Sequence, residues 1–174
     1  MTRPPETPWG PAYSSREIAP GIVLYSTPSH GGYWLSPDRV AEMPKPLREF
    51  KPWAGPNWYE EDCDWSIVAL AFPQYFPDDA QGAALATLQH YRPELFTEVV
   101  GMIENQGKHV YSIHYMDREF AREHNDPTLG FIVAGGKQEA QELAGRNGGI
   151  VRRALPTPSL WAMEILRRGE EKVR

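Results

Sequence analysis

A nearly unbroken apolar stretch at residues 65–72, WSIVALAF, leaves few alternatives for the fold of this chain. A helix that is apolar on every side has no face for water and therefore lies buried. Upstream of the stretch, Asn57 and Glu60 have the spacing of a capping box, and Pro73 ends the pattern. We therefore predict a central buried helix that begins at Asn57.

Carboxylates fill the first two turns of this predicted helix, where the positive end of the helix dipole favours negative charge. They are Glu60, Glu61, Asp62 and Asp64. The prediction is thus a buried helix with an acidic N-terminal end, and that acidic end is a candidate site.

Length and charge narrow the class of protein. The chain has 174 residues, 41% of them apolar, which suits one domain with a sizeable core. It has no apolar run of membrane-spanning length, no charged-then-apolar leader and a single cysteine, so we expect a cytoplasmic protein without an intrachain disulfide. The net charge of −5 argues against general nucleic-acid binding, which needs a basic field.

The pattern along the chain predicts the α+β class. Residues 1–17 are rich in proline and are expected to form an extended arm, and residues 18–174 a single α+β domain. The N-terminal half of that domain, residues 18–107, contains a hairpin and helices, and the C-terminal half, residues 108–174, reads β-α-β-α-β-α. We expect a small mixed or antiparallel sheet, with several helices surrounding the central one.

Individual elements follow from turn residues and periodicity. Strands are predicted at residues 21–26 and 32–35, which form a hairpin, and at 108–115, 129–134 and 150–155. Helices are predicted at residues 37–43, from 78 or 79 to 91, from 93 to about 105, at 117–124, at 137–146 and from 157 or 159 onward, with one turn near 47–50.

One candidate catalytic arrangement pairs Cys63 with His30, with Glu61 and Asp62 as further candidates. A thiol in the first turns of a helix, close to a histidine on a neighbouring loop, is the arrangement used by cysteine hydrolases. Against it, the carboxylates around Cys63 disfavour a second anion. A small buried apolar role for Cys63 is therefore the favoured interpretation.

A second candidate is a metal site. Glu60 and Asp64 are four residues apart on one predicted helical face, which suits a hard divalent cation, and His30 would complete a site for a transition metal. The alternative is a capping box with favourable dipole interactions. It explains Glu60 and Glu61 without a metal, and it explains Asp62 and Asp64 less well, because these two lie further into the predicted helix.

The loop at residues 29–32, SHGG, is a third candidate. Two glycines allow positive φ, so that consecutive amides could form a nest for a phosphate or carboxylate. A hairpin turn that requires glycine is the favoured alternative. His30 at the loop tip, together with the acidic helix end, is the best candidate site. The residues expected to contribute to binding there are Ser29, Gly31, Gly32, Trp34, Trp58 and Tyr59.

Aromatic residues concentrate in the first half of the chain. A fold of this size cannot bury all of them, and exposed tryptophan and tyrosine are typical of interaction surfaces. The equally weighted alternative is a loop-rich core of aromatics against prolines. The residues concerned are Trp9, Tyr13, Tyr33, Trp34, Trp53, Trp58 and Tyr59.

Two long motifs carry a family resemblance. They are YSTPSHGG at residues 25–32, followed by WLSP at 34–37, and WYEEDCDW at 58–65, followed by VALAFP at 68–73. With TPWGP at 7–11 and IAPGI at 18–22, the first half of the chain resembles an uncharacterised family of domains of unknown function found in bacterial plasmids and phages. The resemblance implies a small cytoplasmic protein carried by mobile DNA, and it implies no particular activity.

Two functions from different classes follow. The preferred one is a protein of a mobile genetic element that binds a protein partner, including as an inhibitor of a host defence system, with no cofactor, no membrane association and no general nucleic-acid binding. The alternative is a hydrolase or transferase, with or without a divalent metal, whose site consists of His30 and the acidic stretch at residues 60–64.

Overall fold

The computed structural model describes residues 6–77, 79–115, 130–146 and 149–154. The chain divides into two compact units, unit 1 (residues 1–80) and unit 2 (residues 81–174). Within these ranges, six α-helices and antiparallel sheets confirm the predicted α+β class. In the described residues, no helix combines the length and the apolar character that crossing a membrane requires.

Unit 1 is built on a four-stranded antiparallel sheet. Its order is β3 (Ser14–Ala19), β4 (Ile22–Ser26), β5 (Gly31–Leu35) and β6 (Trp58–Glu60). A two-residue ladder of β1 (Glu6–Thr7) and β2 (Gly10–Pro11) precedes it. The predicted hairpin of β4 and β5 is confirmed. Residues 14–17, which the sequence analysis included in the extended arm, form most of β3, because their backbone pairs with β4.

The helices of unit 1 are short. They are α1 (Pro37–Glu42), α2 (Lys45–Glu49) and α3 (Trp65–Ala71), followed by a 3-10 turn (Pro73–Tyr75). The predicted start of α1 is confirmed, since Ser36 Oγ accepts a hydrogen bond from the Arg39 amide at 3.3 Å and proline follows Ser36.

The predicted start of the central helix at Asn57 is wrong. Asn57 has a φ of 73°, and its Nδ2 donates to the Leu35 carbonyl at 2.8 Å. Asparagine tolerates this left-handed conformation, which directs the next residues into β6 beside β5. The helix α3 begins eight positions later, at Trp65. Its burial is as predicted: residues 66–70 are all buried.

The core of unit 1 lies on one face of the sheet. Side chains alternate along a strand, so Ile22, Leu35 and Tyr59 share this face, and all three are almost fully buried. The helix α3 packs against β5 and β6. The opposite face of the sheet carries Glu60 together with Trp34 and Trp58.

Unit 2 combines helices with a three-stranded antiparallel sheet of order β8-β7-β9. The elements are α4 (Ala80–Tyr91), α5 (Pro93–Asn105), β7 (His109–Tyr115), β8 (Gly130–Ala134), α6 (Lys137–Arg146) and β9 (Gly149–Ala154). All of them match predicted elements to within two residues at either end. The predicted helix at 117–124 and the helix from 157 onward lie outside the described residues.

Candidate functional site

The loop between β4 and β5 presents His30. The Thr27 hydroxyl donates to the His30 carbonyl at 2.7 Å and accepts from the His30 amide at 3.2 Å. The Thr27 amide also donates to the His30 carbonyl, at 2.8 Å. These bonds use the polar backbone atoms of His30 in the turn, and leave its side chain exposed, next to the exposed Ser29.

The two glycines after His30 serve close packing. Both lie in β5, and neither has a positive φ, so their amides belong to the sheet and not to an anion nest. A Cβ added to Gly32 would overlap the ring of Trp9 and the carbonyl oxygen of Tyr59. One added to Gly31 would overlap the Glu61 carboxylate and lie 2.8 Å from the Tyr25 carbonyl oxygen. The hairpin turn favoured by the sequence analysis forms at residues 27–30, but it does not require these two glycines, which lie in β5 and allow close packing there.

Glu60 is a buried carboxylate at the end of β6. Its side chain is only 4% exposed. Oε2 accepts hydrogen bonds from the Asp62 amide at 2.8 Å and the Cys63 amide at 3.0 Å, which closes the turn between β6 and α3. Oε1 is buried, and no described residue forms a hydrogen bond with it. Glu60 therefore holds the turn with one oxygen and has a second oxygen unused.

Three side chains from the loop and the turn converge. His30, Glu60 and Asp62 each place one potential ligand atom within 4.8 Å of the others, with Glu60 buried and the other two exposed. We call these three residues the His30 cluster. It forms because Glu60 pairs in register with Gly32, close to the loop of His30, and because the turn held by Glu60 brings Asp62 back beside it.

The other two acidic residues lie elsewhere. The sequence analysis paired Glu60 with Asp64 on one helical face, but neither residue lies within a helix. The carboxylate that accompanies Glu60 in the His30 cluster is that of Asp62. Asp64 is buried, 2% exposed, beside Cys63. Glu61 lies against Gly31, which is on the opposite face of the sheet from Gly32 and Glu60. The structure thus separates Glu61 from the His30 cluster.

Cys63 has carboxylates as its described side-chain partners. Its Sγ donates to Glu60 Oε2 and to Asp64 Oδ1, each at 3.5 Å. Burial, followed by the charges of Asp64 and Glu60, raises the pKa of the Cys63 thiol to about 12. At neutral pH the thiol is protonated, which disfavours a nucleophilic role.

Aromatic side chains surround Glu60 on its face of the sheet. Trp9 and Trp58 make an edge-to-face contact with centroids 5.8 Å apart, and Tyr25 lies 5.5 Å from Trp58. Trp34, the register partner of Trp58, is half-buried on the same face. Tyr59 points the other way, into the core, where its hydroxyl donates to Met43 Sδ at 3.6 Å. Of the predicted aromatic surface, Tyr13 (70%) and Trp53 (63%) are the strongly exposed members.

The residue types of the His30 cluster are ones that could hold a metal ion. An imidazole nitrogen and two carboxylate oxygens are ligands of zinc and of other divalent transition metals. Three protein ligands leave coordination positions for water or substrate, which distinguishes catalytic from structural sites. Asp62 was a predicted site residue, but its partnership with Glu60 was missed. No local pattern predicted it, because Asp62 lies in the turn that follows β6 and that the Glu60 carboxylate holds.

Comparison with known protein families identifies a match. The family model described as "Domain of unknown function (DUF7007)" matches residues 2–125. The match includes the whole His30 cluster, and it extends beyond the first half of the chain, to which the sequence analysis limited the resemblance. No curated protein matches the chain, and no solved structure does.

Proposed function

We propose, for this chain, which belongs to the family described as "Domain of unknown function (DUF7007)", a divalent-metal-dependent hydrolase activity centred on the His30 cluster. The observation that carries the proposal is the convergence of one imidazole and two carboxylates to within 4.8 Å from two separate segments of unit 1. His30, Glu60 and Asp62 are the proposed ligands.

The state of Glu60 supports a cation at this place. An ionised carboxylate that is 4% exposed is costly unless both oxygens are satisfied. The two backbone amides satisfy Oε2, whereas Oε1 has no hydrogen-bond partner in the described structure. A divalent cation held by His30 and Asp62 as well would satisfy Oε1 and balance the two negative charges.

The chemistry that a bound cation supplies is activation of water. Such a cation would do so by lowering the pKa of a coordinated water towards neutrality. The exposed side of the cluster, formed by His30 and Asp62, is where water and substrate would enter. Glu60 at the floor would hold the ion and keep the turn closed.

The first test is metal binding in solution. We expect each chain to bind one Zn²⁺ or Co²⁺ ion. At a free metal concentration a hundredfold above Kd, binding should stabilise the native state by about 2.7 kcal/mol and so raise the melting temperature. The His30→Ala and Asp62→Asn variants should lose this shift. His90→Ala, which removes another exposed histidine, is the matched control and should keep it.

Hydrolysis is tested with activated carboxylic and phosphate esters on the metal-loaded protein. We expect metal-dependent turnover of an ester by wild type and by His90→Ala. Asp62→Asn should lose this turnover. Identical metal binding by wild type and His30→Ala would contradict the site. Metal binding at the site without turnover of any ester would contradict the hydrolase activity while keeping the site.

A second candidate function is recognition of a protein partner, and it depends on a different observation. Trp53 and Tyr13 are 63% and 70% exposed, which is unusual for side chains of this size. The proposed setting is the cytoplasm of a bacterium that carries the protein on a plasmid or phage, with a host-defence protein as the partner. We expect wild type and Tyr91→Ala to retain a stoichiometric protein partner. Trp53→Ala or Tyr13→Ala should lose it. Equal retention by all variants would contradict it.

A further inference from the structure

The hairpin that carries His30 has a very short connection. The register of β4 and β5 leaves Thr27 opposite His30, so the loop itself consists of Pro28 and Ser29. Two-residue hairpin loops normally adopt turn types that require a positive φ at the first loop residue. Proline fixes φ at about −65°, so Pro28 excludes both of these turn types. The hairpin therefore needs another way to close.

The Thr27 hydroxyl provides that closure. One of the two ordinary closing bonds is present, from the Thr27 amide to the His30 carbonyl at 2.8 Å. In place of the other, the His30 amide donates at 3.2 Å to Thr27 Oγ1, and the same hydroxyl donates to the His30 carbonyl at 2.7 Å. Threonine hydroxyls can replace a backbone group in turns in this way. Thr27 is only 6% exposed, so little water competes for these bonds.

The imidazole of His30 depends on this backbone for its position. The side chain is exposed, and no described residue forms a hydrogen bond with the ring. Histidines that bind a metal usually have their second ring nitrogen bonded to a neighbouring group, which fixes the ring. Here the described hydrogen bonds of His30 are those of its backbone, and all of them are to Thr27. The direction of the imidazole therefore follows from the loop that Thr27 closes.

The acidic part of the His30 cluster is held in place separately. Glu60 Oε2 closes the turn after β6 through two backbone amides. The Glu61 amide donates to the Gly31 carbonyl at 3.1 Å, which ties this turn to β5. Neither arrangement involves Thr27. Loss of the Thr27 hydroxyl should therefore move His30 and leave the two carboxylates of the cluster where they are.

We infer that Thr27 is a positioning residue of this site: through the backbone of His30, its hydroxyl places the imidazole where it can share a cation with Glu60 and Asp62. This inference rests on the proposed metal-dependent function. Both hydrogen-bonding capacities of the hydroxyl that the structure shows are used by His30, so Thr27 acts through His30 and is not itself a ligand.

The experiment titrates Co²⁺ into the full chain and follows the visible absorption, which reports both affinity and coordination. Thr27→Val keeps the shape of the side chain and removes the hydroxyl, whereas Thr27→Ser keeps the hydroxyl. Ser36→Ala is the matched control, because it removes another hydroxyl that accepts from a backbone amide, just beyond the end of β5 that is far from His30. Urea unfolding measures the stability of each variant.

We expect Thr27→Val to bind Co²⁺ about 10- to 100-fold more weakly than wild type, which is the usual effect of removing a group that orients a metal ligand. Thr27→Ser should restore the affinity and the absorption spectrum of wild type. Ser36→Ala should lower the urea midpoint, because a helix cap is lost, and should keep the cobalt affinity. A general loss of stability would not separate the two measurements in this way.

Two results overturn the inference while leaving the metal site in place. One is a cobalt affinity of Thr27→Val equal to that of wild type. The other is a His30 amide in wild type that exchanges its hydrogen with solvent as fast as an unfolded peptide does. NMR measures this exchange on the native protein, so the result does not depend on the folding of a variant. Failure of wild type to bind cobalt at all overturns the proposed function, and the inference falls with it.

Discussion

Cys63 illustrates how neighbouring charges decide the chemistry of a single side chain. Sequence reasoning identified both the catalytic interpretation and the objection to it, because the acidic residues adjoin the thiol in the chain. The structure sharpens the objection: Glu60 and Asp64 are its hydrogen-bond acceptors, and together with burial they raise the pKa of the thiol to about 12 from an ordinary 9.0.

This environment predicts a slowly reacting thiol. Alkylation by iodoacetamide proceeds through the thiolate, so at pH 8 the native protein should react at least about a hundredfold more slowly than the same protein in urea. Glu60→Gln should react faster than wild type under native conditions, because one of the charges that disfavours the thiolate is removed. Equal rates in native and unfolded protein would contradict the assignment. The rates are measured by mass spectrometry of quenched samples.

At the scale of elements, the sequence predicted the six described α-helices, with the start of α3 misplaced, and five of the nine described strands, and it missed β1, β2, β3 and β6. Residues 58–60 were predicted as helix because Asn57 and Glu60 have capping-box spacing. They form a strand because β5 offers an edge and because Gly32 lets the Tyr59 carbonyl approach closely. Long-range pairing with a glycine-bearing strand is not visible in a local pattern, and this is why the position of Asp62 beside Glu60 was missed.

The glycine in β5 gives a prediction at this scale. Gly32→Ala should destabilise the protein by about 1–3 kcal/mol, because its Cβ would overlap the Trp9 ring and a backbone carbonyl, one of which must move. Gly136→Ala is the control, since a Cβ there meets nothing within 4 Å. Urea unfolding followed by circular dichroism measures both. A loss of stability in Gly136→Ala as large as that in Gly32→Ala would contradict the packing argument.

At the scale of the whole molecule, the pattern of elements along the chain predicted the α+β class, and the family match confirmed the kind of resemblance while extending it to residue 125. The site could be predicted only in part. His30 and the acidic stretch were identified from their residue types. A carboxylate can accompany His30 only if it belongs to the same face of the sheet. The face of each residue follows from the register in which β5 and β6 pair.

The free energy of unfolding should depend on pH in the alkaline range. Burial raises the pKa of Tyr59 to about 12 from 10.0, and the pKa of Cys63 rises to a similar value. Above pH 9 the unfolded chain releases protons that the native protein retains, so the free energy of unfolding should fall as pH rises from about 9 towards 12. Below pH 9 both contributions are fully present. Urea midpoints between pH 8 and 11 test this.

The variants Cys63→Ala and Tyr59→Phe each remove one of the two groups. Each should flatten the decline in stability above pH 9, and the double variant should flatten it further. A decline that is equally steep in the double variant and in wild type would show that other groups cause it.

The edge-to-face pair of Trp9 and Trp58 also has an optical consequence. Two indoles with centroids 5.8 Å apart couple their strong electronic transitions, so we expect the far-ultraviolet circular dichroism of this chain to contain a couplet that neither ring produces alone. Because Trp9 belongs to the N-terminal segment and Trp58 to β6, that signal reports whether the segment is seated on the sheet. The protein thus contains a built-in spectroscopic probe beside the His30 cluster, readable without any label.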